Sequence, residues 1–158
     1  MVNKQDDFRP SNHVYVVTGT LIIWACYLFF TGGKTYGVFV PRANAPPKVF
    51  MITFLGAAAG GLTSMLLKPF VMRPYKHLSW YDGQSVCSGI LAGLVSISSG
   101  ADRIENWAAI CIGIIGATFY VLFCKWLESR KIDDPVEGSA VHMICGMWGL
   151  LATGFFDN

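Results

Sequence analysis

Charged residues are scarce in this chain. Asp, Glu, Lys and Arg make up 14% of its 158 residues, whereas hydrophobic residues make up 53%. Soluble domains carry roughly 25% charged residues, so much of this protein's outer surface is expected to face lipid rather than water. The formal net charge is only +2 and no basic block is present. This composition argues against nucleic acid as a partner.

The sequence also lacks the patterns of common catalytic and metal sites. It has no Gly-rich phosphate loop, no nucleophile elbow, no paired-carboxylate site and no cluster of metal ligands. Its cysteines form no CxxC pair, and each lies in an apolar run, which is typical of small buried or lipid-facing residues. They are Cys26, Cys87, Cys111, Cys124 and Cys145. We therefore expect a protein that is not an enzyme and that binds no cofactor or metal.

Long apolar segments occupy most of the chain. A helix needs roughly 20 mostly apolar residues to cross a bilayer core. The candidate spans are residues 14–33, 49–67, 86–98, 106–127 and 138–156. The third candidate is short, which suggests a tilted or broken helix. The sequence predicts an all-α integral membrane protein with five transmembrane helices in a single membrane domain, residues 1–158, that begins with a polar segment at residues 1–13.

Lys and Arg are unevenly distributed between the two ends of these helices. The side that holds the N-terminus has eight of them and the other side has four. Because cationic loops resist translocation, the N-terminus is predicted on the cytoplasmic or matrix side. An organellar inner membrane, such as the mitochondrial one, is compatible with this topology, but nothing in the sequence selects it.

Small residues recur at a spacing of four in three of the apolar segments. Gly56–Gly60 and Gly89–Gly93 fit the GxxxG pattern, and Gly113–Ala117 is a variant of it. This spacing places small residues on one face of a helix and lets two backbones approach closely within lipid. The pattern indicates helix packing rather than a particular function.

The segment that leads into the fifth span carries an unusual combination of residues. Asp133 and Asp134 precede the apolar run, where acidic side chains complement the positive end of a helix dipole, and Pro135 suits a first helical turn. His142 follows about two turns further on. An ionisable side chain at that depth is a candidate functional residue. The alternative is a neutral histidine that is hydrogen-bonded inside the bundle.

This segment resembles the tenth helix of the ammonium transporter family, which includes the Rh proteins, and it is most similar to the plant-like members. The shared pattern is an Asp-Asp-Pro entry, a histidine seven residues after the proline, and a Gly-x-Trp-Gly exit. The matching residues are Asp133, Asp134, Pro135, His142, Gly146, Trp148 and Gly149. Collinear similarities to the sixth, eighth and ninth helices lie at Gly19, Thr20 and Trp24, at Gln84–Leu94, and at Ser98–Gly100 with Trp107–Ala109.

The resemblance implies a fold and a set of pore residues. The helices would correspond to helices six to ten of an eleven-helix protein, which is one of two inverted repeats that enclose a pore. His142 matches the second of two facing pore histidines, Phe30 matches a gate phenylalanine, and Tyr27 stands where a tryptophan is usual. The first histidine and the second gate residue belong to the first repeat, which this sequence does not contain.

The cation-recruitment position of the family is altered here. Lys34 stands in place of a serine that helps to bind arriving ammonium, and Thr31 stands in place of an asparagine. A lysine that faces the pore mouth would repel a cationic substrate. Alternatively, its side chain extends outward to the lipid headgroups.

Two functional hypotheses follow. The leading one is a half-length relative of ammonium transporters that serves as a non-conducting structural or accessory subunit of a larger membrane complex. The alternative is a part of a split or fragmentary transporter that conducts ammonium or ammonia through a pore completed by a partner. In both cases the chain needs the lipid bilayer and either other membrane subunits or a first-repeat partner, because one repeat cannot enclose a pore.

Overall fold

The computed structural model describes residues 12–34, 45–72 and 83–157, and most of the polar segment predicted at residues 1–13 lies outside these ranges. Within them the chain is all-helical. The helices are α1 (His13–Gly33), α2 (Ala45–Met72), α3 (Gly83–Ile97), α4 (Asn106–Ser129) and α5 (Cys145–Phe156), and a π-helical segment (Ser139–Ile144) leads directly into α5. Four of the described helical stretches are long and apolar enough to cross a membrane, and α3 is shorter at 15 residues. The predicted all-α membrane fold is confirmed.

From α2 onward, consecutive helices run antiparallel, as two buried clusters show. One cluster joins the start of α2, the end of α3, the start of α4 and the end of α5: Val49, Ile52, Ile97, Ala108, Ile112 and Ala152. The other joins the end of α2, the end of α4 and the π-helical segment: Met72, Tyr120, Val121, Cys124, Ala140 and Val141. We name the two ends of the bundle after lysines that lie there, the Lys34 end and the Lys68 end.

Helices α2, α3 and α4 pack with their backbones nearly in contact, and glycine makes this possible. A Cβ atom added at Gly93 would collide with the carbonyl oxygen of Gly56, and so would one at Gly113. A Cβ at Gly89 would collide with the Ser64 side chain. The small-residue spacing in the sequence therefore lies where α2 meets α3 and α4.

Helices α1 and α5 lie on either side of α3. Leu91 of α3 packs against a cluster that contacts Trp24 and Tyr27 of α1, and also against the cluster that contains Val141. α1 itself is peripheral, since only Thr20, Thr31 and Gly32 are buried along it. The bundle therefore has a side formed by α1, α3 and α5 on which further protein can pack.

Candidate functional site

The candidate site is an open face on this side of the bundle, formed by Tyr27, Phe30, Leu91, Val95 and His142. Leu91 and Val95 are half-buried, and Phe30 and His142 are exposed. The Tyr27 and Phe30 rings meet edge to face, with their centroids 5.7 Å apart. This is where the structure places the three residues that the sequence predicts to line a pore, Tyr27, Phe30 and His142.

His142 lies within the π-helical segment and projects from the bundle. Among the residues that the structure describes, its imidazole forms no hydrogen bond, whereas the preceding Val141 is buried at 2% exposure. About one turn further on, an added Cβ at Gly146 would contact the Val95 side chain at 3.8 Å, which places this side of the helix next to α3. The structure thus differs from the alternative of a histidine that is hydrogen-bonded inside the bundle.

The π-helical segment itself is not predicted by the sequence analysis. Single π-helical turns are rare and occur frequently at functional sites, because they change the direction in which side chains project. Nothing in the pattern of residues 139–144 distinguishes them from an ordinary apolar helix. The candidate histidine therefore lies in the one described stretch whose helical geometry is irregular.

At the Lys34 end, the lysine side chain reaches back over the Phe30 ring. Its Nζ lies 4.9 Å from the centroid of the Phe30 ring and donates a hydrogen bond of 3.3 Å to the carbonyl oxygen of Ser98. A depression of about 250 Å³ opens there, lined by Thr31, Lys34, Ser98, Ser99, Ala101, Asp102, Arg103 and Thr153. The structure therefore places Lys34 over Phe30 and not in an outward direction.

The Thr31 side chain is buried and hydrogen-bonded between α1 and α2. Its hydroxyl lies 3.0 Å from that of Thr53 on α2 and 2.7 Å from the carbonyl oxygen of Tyr27. The residue is 3% exposed. Thr31 thus ties α1 to α2 and also lines the depression.

The acidic entry motif caps the π-helical segment through Asp134. Its carboxylate accepts hydrogen bonds from the backbone N–H of Gly138 at 3.1 Å and of Ser139 at 3.0 Å, and from the Ser139 hydroxyl. Burial alone would raise the pKa of Asp134, but these hydrogen bonds lower it below its usual range. Asp133 and Pro135 are exposed, and Pro135 lies in the turn before the helix and not in its first turn.

Replacing Asp134 with alanine should destabilise the protein by about 1 kcal/mol, the usual cost of losing an N-terminal cap. Because its pKa is lower in the folded state, this stabilisation is fully present above the unfolded pKa and is lost as the pH falls below about 4. Thermal unfolding in detergent at neutral pH measures the difference. The exposed Asp133→Ala is the matched control, and equal unfolding temperatures for the two variants would contradict the prediction.

A second polar group, which the sequence analysis did not identify, lies at the Lys68 end. Lys68 follows the predicted end of the second span at residue 67, but in the structure it lies inside α2 and is 4% exposed. Its ammonium group forms an ion pair with Glu137 and donates a hydrogen bond to the hydroxyl of Tyr120 on α4. The sequence does contain one indication of this pair. Lys68 and Glu137 each lie beside an apolar run, and both are predicted at the same end of the bundle.

Comparisons with known proteins agree on one family. The sequence profile described as Ammonium Transporter Family matches residues 1–158. Ammonium transporter 3 of Dictyostelium discoideum is 32% identical over 160 residues, which cover 97% of this chain and 36% of the relative. Ammonium transporter Amt2 of Archaeoglobus fulgidus is 33% identical over 147 residues, which cover 93% of this chain and 30% of the relative.

Comparison with solved structures indicates the same family. The crystal structure of Saccharomyces cerevisiae Mep2 superimposes with a TM-score of 0.80 and 31% identity, covering 92% of this chain and 32% of that one. The family resemblance found in the residues is thereby confirmed. The chain spans about a third of the length of the relatives that it matches.

Proposed function

Since this chain belongs to the ammonium transporter family, we propose that it forms one wall of a pore that conducts ammonium or ammonia and that a partner membrane protein forms the other wall. The observation that carries the proposal is the open face, on which an exposed imidazole and an exposed phenyl ring project from apolar helices. Proteins of this family that it matches are named as ammonium transporters. This supports the conducting role over the non-conducting role that the sequence analysis ranked first.

The need for a partner follows from the solvation of His142. An imidazole that projects into hydrocarbon without a hydrogen-bond partner costs several kcal/mol, since lipid tails supply no donors or acceptors. A second wall would enclose His142 and supply polar groups or a line of substrate molecules. The partner that fits best is a relative of the first repeat, because the resemblance assigns this chain to the second repeat of an inverted pair.

The open face suits the passage of a small polar molecule through an apolar constriction. Leu91 and Val95 provide no hydrogen bonds, so a fully charged and dehydrated ammonium ion would be costly beside them. The neutral imidazole of His142 both donates and accepts hydrogen bonds, so it would stabilise ammonia there. Phe30 would act upstream as a ring that excludes bulk water from this stretch.

The test is ammonium flux through the assembled protein, with His142→Ala as the central variant. We expect flux in proteoliposomes to be lost or its substrate selectivity to change, while the unfolding temperature stays near that of the wild type, because the exposed His142 makes no hydrogen bond within the described residues. His13→Ala is the matched control, since His13 is an exposed histidine at the start of α1. Flux and selectivity unchanged in His142→Ala would contradict a conducting role for this face.

The accessory-subunit function is a second candidate, and the position of Lys34 favours it. A fixed cation 4.9 Å from the Phe30 ring occupies the space through which a cationic substrate would approach. Mild-detergent extraction, native gel separation and mass spectrometry distinguish the two candidates. Co-migration with a first-repeat relative supports the pore, and co-migration with many unrelated subunits supports the accessory role.

A further inference from the structure

The buried polar group at the Lys68 end contains Lys68, Tyr120 and Glu137, and the Ser88 side chain of α3 hydrogen-bonds to the last two. Lys68 Nζ lies 2.5 Å from Glu137 Oε1 and 2.6 Å from Tyr120 Oη, and the Tyr120 hydroxyl donates a hydrogen bond of 2.5 Å to Glu137 Oε2. Tyr120 is fully buried and Lys68 nearly so. The cluster therefore joins α2 and α4 to the residue that lies directly before the last helical stretch.

Stability alone does not explain such a cluster. A buried ion pair gains little over well-packed apolar side chains of the same volume, since each charge must give up its hydration. Burial alone would raise the pKa of Glu137, yet the Lys68 charge and the hydrogen bonds around the carboxylate lower it. In some proteins, buried polar groups are retained because they select one geometry among several.

The geometry selected here is that of the chain as it enters the π-helical segment. Glu137 has a positive φ of 54°, a left-handed conformation that a non-glycine residue adopts only when its surroundings hold it there. Its carbonyl oxygen accepts a hydrogen bond of 2.9 Å from Val141 N–H. The side chain of Glu137 is thus anchored to α2 and α4, while its backbone begins the turn that carries His142.

We propose that Lys68, Tyr120 and Glu137 form a positioning cluster that fixes the rotation of the π-helical segment and so holds the His142 imidazole on the open face. The inference rests on the proposed function, in which His142 takes part in conduction. Val141, which packs in the same cluster of buried residues as Tyr120, transmits the constraint to its neighbour His142. A rotation of the segment by one residue would bury the imidazole or turn it into lipid.

Two variants test the cluster with different risks of unfolding. Tyr120→Phe removes only the hydroxyl and keeps the packing, and the double variant Lys68→Met/Glu137→Gln removes both charges without leaving either one unpaired. The exposed Lys48→Met on α2 is the matched control. The readout is the pair of imidazole ¹⁵N resonances of His142 in the ¹⁵N-histidine-labelled assembly in bilayers, identified by their absence in His142→Ala.

We expect displaced His142 resonances and a loss of maximal flux in both variants, with little change in the half-saturating ammonium concentration. Unshifted resonances in Tyr120→Phe, or in the double variant where it folds, would overturn the inference, because the cluster would then be merely structural. Should His142→Ala leave flux unchanged, the proposed function fails, but the resonances still decide whether the cluster positions His142.

Discussion

Replacing Gly93 with leucine should strongly destabilise the folded state of the detergent-solubilised protein. A Cβ atom at Gly93 would collide with the carbonyl oxygen of Gly56 and lie 3.1 Å from the Cα of Ala57. Both are backbone atoms of α2, so no side chain can rotate away, and the two helices must separate. Overpacking of a core costs about 1–3 kcal/mol and sometimes more, and loss of backbone contact belongs to the upper end of that range.

The matched control for this change is Gly154→Leu. A Cβ atom at Gly154 meets no atom within 4 Å, so the same added volume should be accommodated on an exposed surface of α5. Size-exclusion profiles and thermal unfolding of both variants in one detergent give the measurement. If Gly93→Leu eluted and unfolded like Gly154→Leu, the close approach of α2 and α3 would be wrong.

The architecture is predictable from the sequence because a bilayer imposes a length on every apolar run. The positions of α1 and α4 are predictable from the sequence because polar or turn-forming residues interrupt their apolar runs at both ends. α2 extends to Met72, beyond the predicted end at residue 67, since Lys68 and Pro69 look like loop residues. In the structure the Lys68 charge is paired with Glu137, a contact between residues far apart in the sequence, so the helix continues through it.

The geometry of the candidate site is less predictable from the sequence, because it also depends on contacts between residues far apart in the chain. That His142 lies deep in an apolar helix is evident from the sequence, but its projection from a π-helical turn depends on the anchoring of Glu137 by α2 and α4. The left-handed backbone of Glu137 has no local signal, since glycine or asparagine would be the usual choice at such a position. Long-range contacts, and not local propensities, set this part of the fold.

In a conducting assembly, replacing Lys34 with serine should lower the half-saturating ammonium concentration by about tenfold or more. The Lys34 ammonium lies 4.9 Å from the Phe30 ring centroid, and the Ser98 carbonyl oxygen holds it there. Two like charges about 4 Å apart repel by roughly 1–4 kcal/mol, depending on the effective dielectric constant. Removing the fixed charge relieves that repulsion and frees the ring face and the carbonyl oxygen for an arriving cation.

Lys34→Arg separates the effect of charge from that of side-chain length, because it keeps a cation at the same position. The concentration dependence of ammonium flux should therefore be shifted in Lys34→Ser and unchanged in Lys34→Arg, and the difference should shrink at high salt, which screens exposed charges. Identical half-saturation in all three proteins would mean that Lys34 does not face the substrate path. If the wild type conducts nothing and Lys34→Ser does, the lysine is what closes the pore, and the open face is otherwise competent to conduct.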